Sequence, residues 1–231
     1  MDGYRVIRSA RRTLSLQVTE AGEVVVRAPR NCSRGWIEGF VESHREWIAR
    51  RQQLLAGRRA EMAAFRLHTG DQIMLCGREI PVELRPGSVP ALSGDHLILP
   101  SGDPGDWGGD LLSLWRKQGL PLVKARLEQW ANIMGLTFRT VKISSARCRW
   151  GSCTRDGVIR ISVYLLFAPL EGIDYVLVHE LSHRKQMNHS PAFWSVVERT
   201  MPDYRARRKL LRQFQEEPLL QSLARPKEKT Q

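Results

Sequence analysis

Apolar and polar residues alternate along residues 4–28. Leu14, Leu16 and Val18 fall on one face, and Val24-Val25-Val26 follows a turn at Ala21-Gly22. This period of two predicts a β-hairpin or meander. After Ala28-Pro29 the period lengthens. Trp36, Ile37, Phe40, Val41, His44, Trp47, Ile48 and Leu55 recur at helical spacing, with Ser33 as candidate N-cap, so one helix is predicted to about residue 60. His44 lies on that apolar face and reads as a packed histidine rather than a ligand. Residues 67–100 are punctuated by Thr69-Gly70-Asp71, Gly77-Arg78, Pro86-Gly87 and Ser93-Gly94-Asp95, which predicts a small β region. Residues 101–109, rich in Gly, Asp and Pro, read as a linker.

A helix is predicted over 110–134. Leu111, Leu112, Leu114, Trp115, Leu122, Val123, Leu127 and Trp130 form its stripe, Gly119-Leu120-Pro121 is a candidate kink, and Gly135 is its stop. Strands follow at 137–144 and 147–152. An Asp156-Gly157 hairpin turn then leads into a returning strand at 158–163. The next helix runs over about 170–186. Ser190-Pro191 supplies the N-cap and first residue of another. Pro202 breaks that one, and Asp203 opens a basic helix to about residue 215. No internal repeat is visible. The pattern is α+β: a β-rich N-terminal region with one long helix at 1–105, a second domain at 106–217, and a polar tail at 218–231 that reads as disordered.

Composition narrows the class. A length of 231 residues allows one large domain or two small ones. No apolar run is long enough to span a membrane, and Met1-Asp2-Gly3-Tyr4-Arg5 opens no signal peptide, so a cytoplasmic protein without a membrane partner is expected. Cys32, Cys76, Cys148 and Cys153 then read as free thiols, with Cys148 and Cys153 packed in a tight hairpin rather than binding metal. The net charge of +12 raises nucleic acid as a partner. The basic residues are dispersed, however. Residues 107–231 carry +10 (21 basic, 11 acidic), and their densest cluster is Arg205, Arg207, Arg208 and Lys209. A solvated helix face accounts for such a scatter as well as a polyanion does.

The chemistry concentrates at residues 179–189. His179, Glu180 and His183 form the H-E-x-x-H pattern, and His189 adds a third imidazole six residues on. Positions four apart on a helix share a face, so His179 and His183 can reach one ion. Glu180 sits about 100° round the helix, beside the ion. Three of the chain's six histidines lie here, behind the nearly apolar Ile173-Asp174-Tyr175-Val176-Leu177-Val178. A buried helix that delivers polar groups at one point suits a metal site better than a wet surface.

Arg149-Trp150-Gly151-Ser152-Cys153, Ile173-Asp174-Tyr175-Val176, the H-E-x-x-H segment and Asn188-His189-Ser190-Pro191 with Phe193-Trp194 resemble the YgjP-like metallopeptidase family. So do Arg8-Ser9-Ala10-Arg11-Arg12 and Val26-Arg27-Ala28-Pro29 near the start. That family belongs to the zincins and is distantly similar to the SprT and WLM proteases. The metzincins share the spacing of the third histidine but place Gly where this chain has Gln186. The resemblance implies a zincin-like catalytic domain, its H-E-x-x-H helix under a small antiparallel or mixed sheet. It also implies Zn2+ held by His179, His183 and His189, with Glu180 catalytic.

A zinc-dependent peptidase acting on peptide or protein substrates is therefore expected. Glu180 would be general base, residues 158–163 an edge strand for substrate, and Arg147, Arg149 and Tyr204 candidate oxyanion donors. Two alternatives keep the metal. One is a nucleotide pyrophosphohydrolase, which suits the arginines but lacks a phosphate loop and a carboxylate cluster. The other is a DNA-associated protein with a zinc site, for which Glu180 has no use.

Overall fold

A computed structural model describes residues 3–215 and 217–223. They divide into two compact units between Phe65 and Arg66. In the first, strands β1 (Tyr4–Ser9), β2 (Ser15–Val18) and β3 (Val24–Pro29) form a sheet in the order β1-β3-β2. β1 runs parallel to β3, and β2 pairs with it as an antiparallel hairpin. The central place of β3 explains its unbroken Val24-Val25-Val26 run, all buried, where an edge strand would alternate. Helices α1 (Arg34–Ser43) and α2 (Arg45–Ala64) cover the sheet. Val24 packs with Val18, Ile48 and Leu55, and Val26 and Ala28 pack with Cys32 and Ile37.

The single helix expected from Ser33 is thus two. Ser33 does cap the first, accepting from Trp36 N–H. The break falls at His44 (φ −111°, ψ 11°), whose Nδ1 lies 2.8 Å from the Phe40 carbonyl and 3.0 Å from Ser43 Oγ. The apolar spacing continues across the bend because Ile48 N–H still bonds the His44 carbonyl, so periodicity alone does not register it.

In the second unit, β4 (Gln72–Leu75), β5 (Arg78–Leu84), β6 (Ala91–Ser93) and β7 (His96–Leu99) form a mixed sheet ordered β4-β5-β7-β6. Helix α3 (Pro104–Met134) follows. The boundary between units lies at 65–66 rather than at 105–106. Ile73, Ile80, Val82, Leu97 and Leu99 share one core with Trp107, Leu111 and Trp115. Strands this short cannot bury an apolar face alone; α3 covers it, and Trp115 Nε1 donates to the Met74 carbonyl at 3.2 Å. The expected linker at 101–109 is partly helix. Asp103 caps α3 by accepting from Gly105 N–H at 2.7 Å, with Pro104 in the first turn.

α3 runs through Gly119-Leu120-Pro121 without ending and stops at Gly135 in the left-handed region. Gly119 is there for contact: a Cβ on it would lie 2.5 Å from Leu166 Cδ1. Leu166 belongs to a buried 3-10 segment, Val163–Phe167, and Phe167 stacks on Trp115 with centroids 5.5 Å apart.

The second sheet comprises β8 (Thr140–Ser144), β9 (Gly151–Cys153) and β10 (Val158–Ser162), ordered β8-β10-β9. β10 is flanked by β8 in parallel and β9 antiparallel. The returning strand expected at an edge is therefore central, and β9 is the edge on the metal-helix side. The hairpin turn encodes the β9–β10 pair locally, whereas the β8–β10 pairing has no local signature.

Helix α4 (Leu170–Ser182) packs beneath, against α3, β9, α5 (Pro191–Thr200) and α6 (Tyr204–Phe214). Asp174 of α4 is buried and accepts from Arg126 Nε at 2.6 Å, Arg126 Nη2 at 2.5 Å and Trp130 Nε1 at 3.0 Å. This bidentate pair fixes α4 on α3. Residues 218–223, expected in a disordered tail, form helix α7 (Pro218–Leu223), with Leu220 and Leu223 buried in the core. Residues 224–231 lie outside the described residues. Among the described residues, no helix is long and apolar enough to cross a membrane.

Candidate metal centre

α4 is buried along almost its whole length, with His179 half-buried and His183 at its C-cap. The helix ends a turn earlier than its pattern suggests. The chain then turns through residues 184–189 to Ser190, which caps α5 by accepting from Phe193 N–H, with Pro191 in the first turn. This turn carries His189 back over α4. One ring nitrogen from each of His179, His183 and His189 lies within 4.8 Å of the others, and the Nε2 atoms of His179 and His189 are 3.0 Å apart. Two ring nitrogens on one tetrahedral zinc, each at about 2.0–2.1 Å, lie about 3.3–3.4 Å apart, so three such rings could hold one ion.

Phe193 sets the arrangement. It is fully buried, and its ring centroid lies 4.8, 4.6 and 4.8 Å from those of His179, His183 and His189. His183 Nδ1 sits 3.0 Å from the Gln186 carbonyl. A carbonyl only accepts, so Nδ1 carries the proton and Nε2 keeps its lone pair for a metal. Burial, and then the neighbouring His183, His189 and Arg208, push the His179 pKa down to about 3. Burial lowers that of His183 as well. Both imidazoles are neutral near pH 7, the form that ligates.

Glu180 is 5 % exposed, and burial raises its carboxyl to about 8 in the absence of an ion, against the opposing pull of Arg149. Its Oε2 is buried without a hydrogen-bond partner among the described residues. Without an ion this carboxyl keeps its proton near pH 7; a cation held by the three imidazoles would favour the carboxylate, the form that accepts a proton. The His179, His183 and Glu180 side chains line a cavity of about 710 Å³, with Gly151, Ser152 and Cys153 of edge strand β9 on one side. Arg149, Tyr175, Trp194, Arg208 and Arg212 complete much of the rest.

Arg149 lines the cavity. Arg147 does not, and its Nε lies 3.3 Å from Tyr164 Oη. Tyr204 is buried and stacks on Trp194 at 5.4 Å, lining a neighbouring cavity instead. Cys153 lines the metal cavity, but burial and then Glu180 push its thiol up to about 11, and it is not in the imidazole cluster. Gly151, Phe193 and Arg212 were not singled out by the sequence for this site. Gly151 and Phe193 did stand in the segments that carry the family resemblance, without a stated role; Arg212 had no signal.

An H-E-x-x-H helix under a small mixed sheet, with a third histidine returning from beyond it, makes this a zincin-like fold. The model of the YgjP-like metallopeptidase domain matches residues 12–214, and the chain belongs to that family. A solved structure, the metallopeptidase zymogen abylysin of Pyrococcus abyssi, matches at 30% identity over 37% of this chain and 86% of that chain, with a TM-score of 0.34. No curated protein matches.

Proposed function

We propose that this chain is a zinc-dependent peptidase, with His179, His183 and His189 as ligands and Glu180 as general base. One observation carries the reading: three ring nitrogens converge beside a buried, unpartnered Glu180 oxygen in an open cavity. Three nitrogen donors with no carboxylate in the cluster favour zinc over magnesium or calcium. Bound there, zinc supplies the Lewis acidity that activates water near neutral pH and polarises a carbonyl. Glu180 takes the proton of the attacking water and returns it to the leaving amine. β9 offers backbone groups unpaired on one side, so an extended peptide can add as a further strand across the site. Arg149 stands at the cavity wall as the candidate donor to the developing oxyanion.

Nucleic acid is a weaker partner. In the densest basic cluster, Arg205 is paired with Glu198 at 3.2 Å and Arg207 with Asp203 at 2.8 Å. The test is to incubate zinc-reconstituted and metal-free full-length protein with a peptide library and a nucleotide panel. Zinc-dependent cleavage of peptides supports the reading. Zinc-dependent hydrolysis of nucleotides with every peptide intact replaces it.

A further inference from the structure

The cavity wall away from the sheet is basic, and its arginines form no ion pair among the described residues. Arg208 and Arg212 lie four apart on α6, hence on one face, and both line the metal cavity together with Arg149. Among the described residues neither Arg208 nor Arg212 has an ion pair or a side-chain hydrogen bond, whereas the charge of Arg149 acts on Glu180. Their neighbours differ: Arg205 and Arg207 are held by Glu198 and Asp203. Arg208 is held another way. Its guanidinium lies over the Trp194 ring, 5.3 Å from the centroid. A cation–π contact fixes the group while leaving its N–H donors free for a planar acceptor.

α6 itself is anchored. Leu211 is buried, and a Cβ on Gly172 of α4 would lie 2.8 Å from its Cδ2. This close approach sets residues 208 and 212 beside the metal helix. Trp194 meanwhile stacks against His189 with centroids 6.0 Å apart, which ties the Arg208 platform to a candidate ligand. The acidic group in the cavity lining is Glu180, which is already committed to the water. The remaining charge on the wall is positive and exposed.

We infer that Arg208 and Arg212 form a carboxylate-binding subsite next to the candidate metal site. The substrates would then be peptides that place a carboxylate close to the scissile bond. This rests on the peptidase reading and deepens it. Two sources share that chemistry: an Asp or Glu side chain, or a free C-terminal carboxylate. Two guanidinium groups on one helix face, one of them held over Trp194, can meet a carboxylate in bidentate geometry, the arrangement in which an ion pair keeps its strength at a solvent-exposed wall, and a preference of about tenfold is expected.

The experiment compares three peptides on zinc-loaded enzyme. One is neutral with an amidated C-terminus, one carries Glu beside the susceptible bond with an amidated C-terminus, and one is neutral with a free C-terminus two residues beyond the bond. The expected result is a kcat/KM at least about tenfold higher for one carboxylate peptide than for the neutral one. Whichever is favoured identifies the source. The Arg208→Gln/Arg212→Gln double variant should lose that preference, whereas Arg207→Gln should keep it. Equal kcat/KM for all three peptides, or a preference retained by the double variant, overturns the subsite.

A binding arm separates this from the peptidase reading. All three peptides, fluorescently labelled, are titrated into the zinc-loaded Glu180→Gln protein, where turnover is not required. Binding of a carboxylate peptide about tenfold tighter than the neutral one, and lost once Arg208→Gln and Arg212→Gln are added, supports the subsite; equal binding of all three, or a difference the double variant keeps, overturns it. Absence of cleavage in every arm, by contrast, counts against the peptidase reading. Metal content and thermal unfolding of each variant confirm that it is folded.

Discussion

A Cβ built on Gly151 would lie 2.6 Å from Glu180 Oε1 and 2.8 Å from its Cγ. Edge strand β9 therefore touches the proposed base with its backbone, and only a glycine leaves room for the carboxylate. Gly151→Ala should push Glu180 aside without touching a metal ligand. We expect full zinc stoichiometry with peptide turnover reduced by about 10²-fold, the scale for a misplaced general base. Metal analysis and kcat/KM on the same preparation check this. A variant as active as the parent would mean that the carboxylate position seen here is not the working one.

Phe193 meets all three imidazoles at nearly equal distance. Phe193→Leu keeps the site apolar but removes the flat surface that orients the rings. Weaker support of ligands typically costs about 10–100-fold in metal affinity. Competition with a chromophoric chelator should show a loss in that range. Unchanged affinity would assign the ring positions to the backbone alone.

The metal-free protein should show opposed pH effects. Burial raises Glu180 from its ordinary 4.5 to about 8, so the folded state keeps a proton that the unfolded chain releases. The stability from this group is present below pH 4.5 and is lost as pH rises through about 8. His179 is lowered from 6.5 to about 3, so its stability is present above pH 6.5 and is lost as pH falls towards 3. Glu180→Gln removes the first effect. By urea unfolding without metal, the variant should exceed the parent by on the order of a few kcal/mol at pH 9 and match it more closely at pH 5. A gap that does not change with pH would contradict the buried, unpaired carboxyl.

What the sequence made legible was local. His179 and His183 share a helical face because of a fixed four-residue spacing, and Ser190-Pro191 announces the turn that returns His189. What stayed hidden depends on partners distant in sequence. Nothing near Asp174 signals Arg126 and Trp130, which lie on another helix. The strands at 72–99 look like part of an N-terminal region until α3 is seen to cover them. The exchange of β9 for β10 at the sheet edge follows from a parallel pairing between residues about eighteen apart. Arg208 and Arg212 are indistinguishable in sequence from Arg205 and Arg207; ion pairing and a place in the cavity lining tell the two sets apart.

If three histidines hold the metal while Glu180 handles the proton, binding and chemistry separate in a single variant. Zinc-reconstituted Glu180→Gln is assayed for bound metal and for turnover of a peptide that the parent cleaves. We expect one zinc per chain and a rate lower by about 10²-fold or more, because a base is lost and no ligand is. Loss of the metal, or turnover at the parent rate, would contradict it.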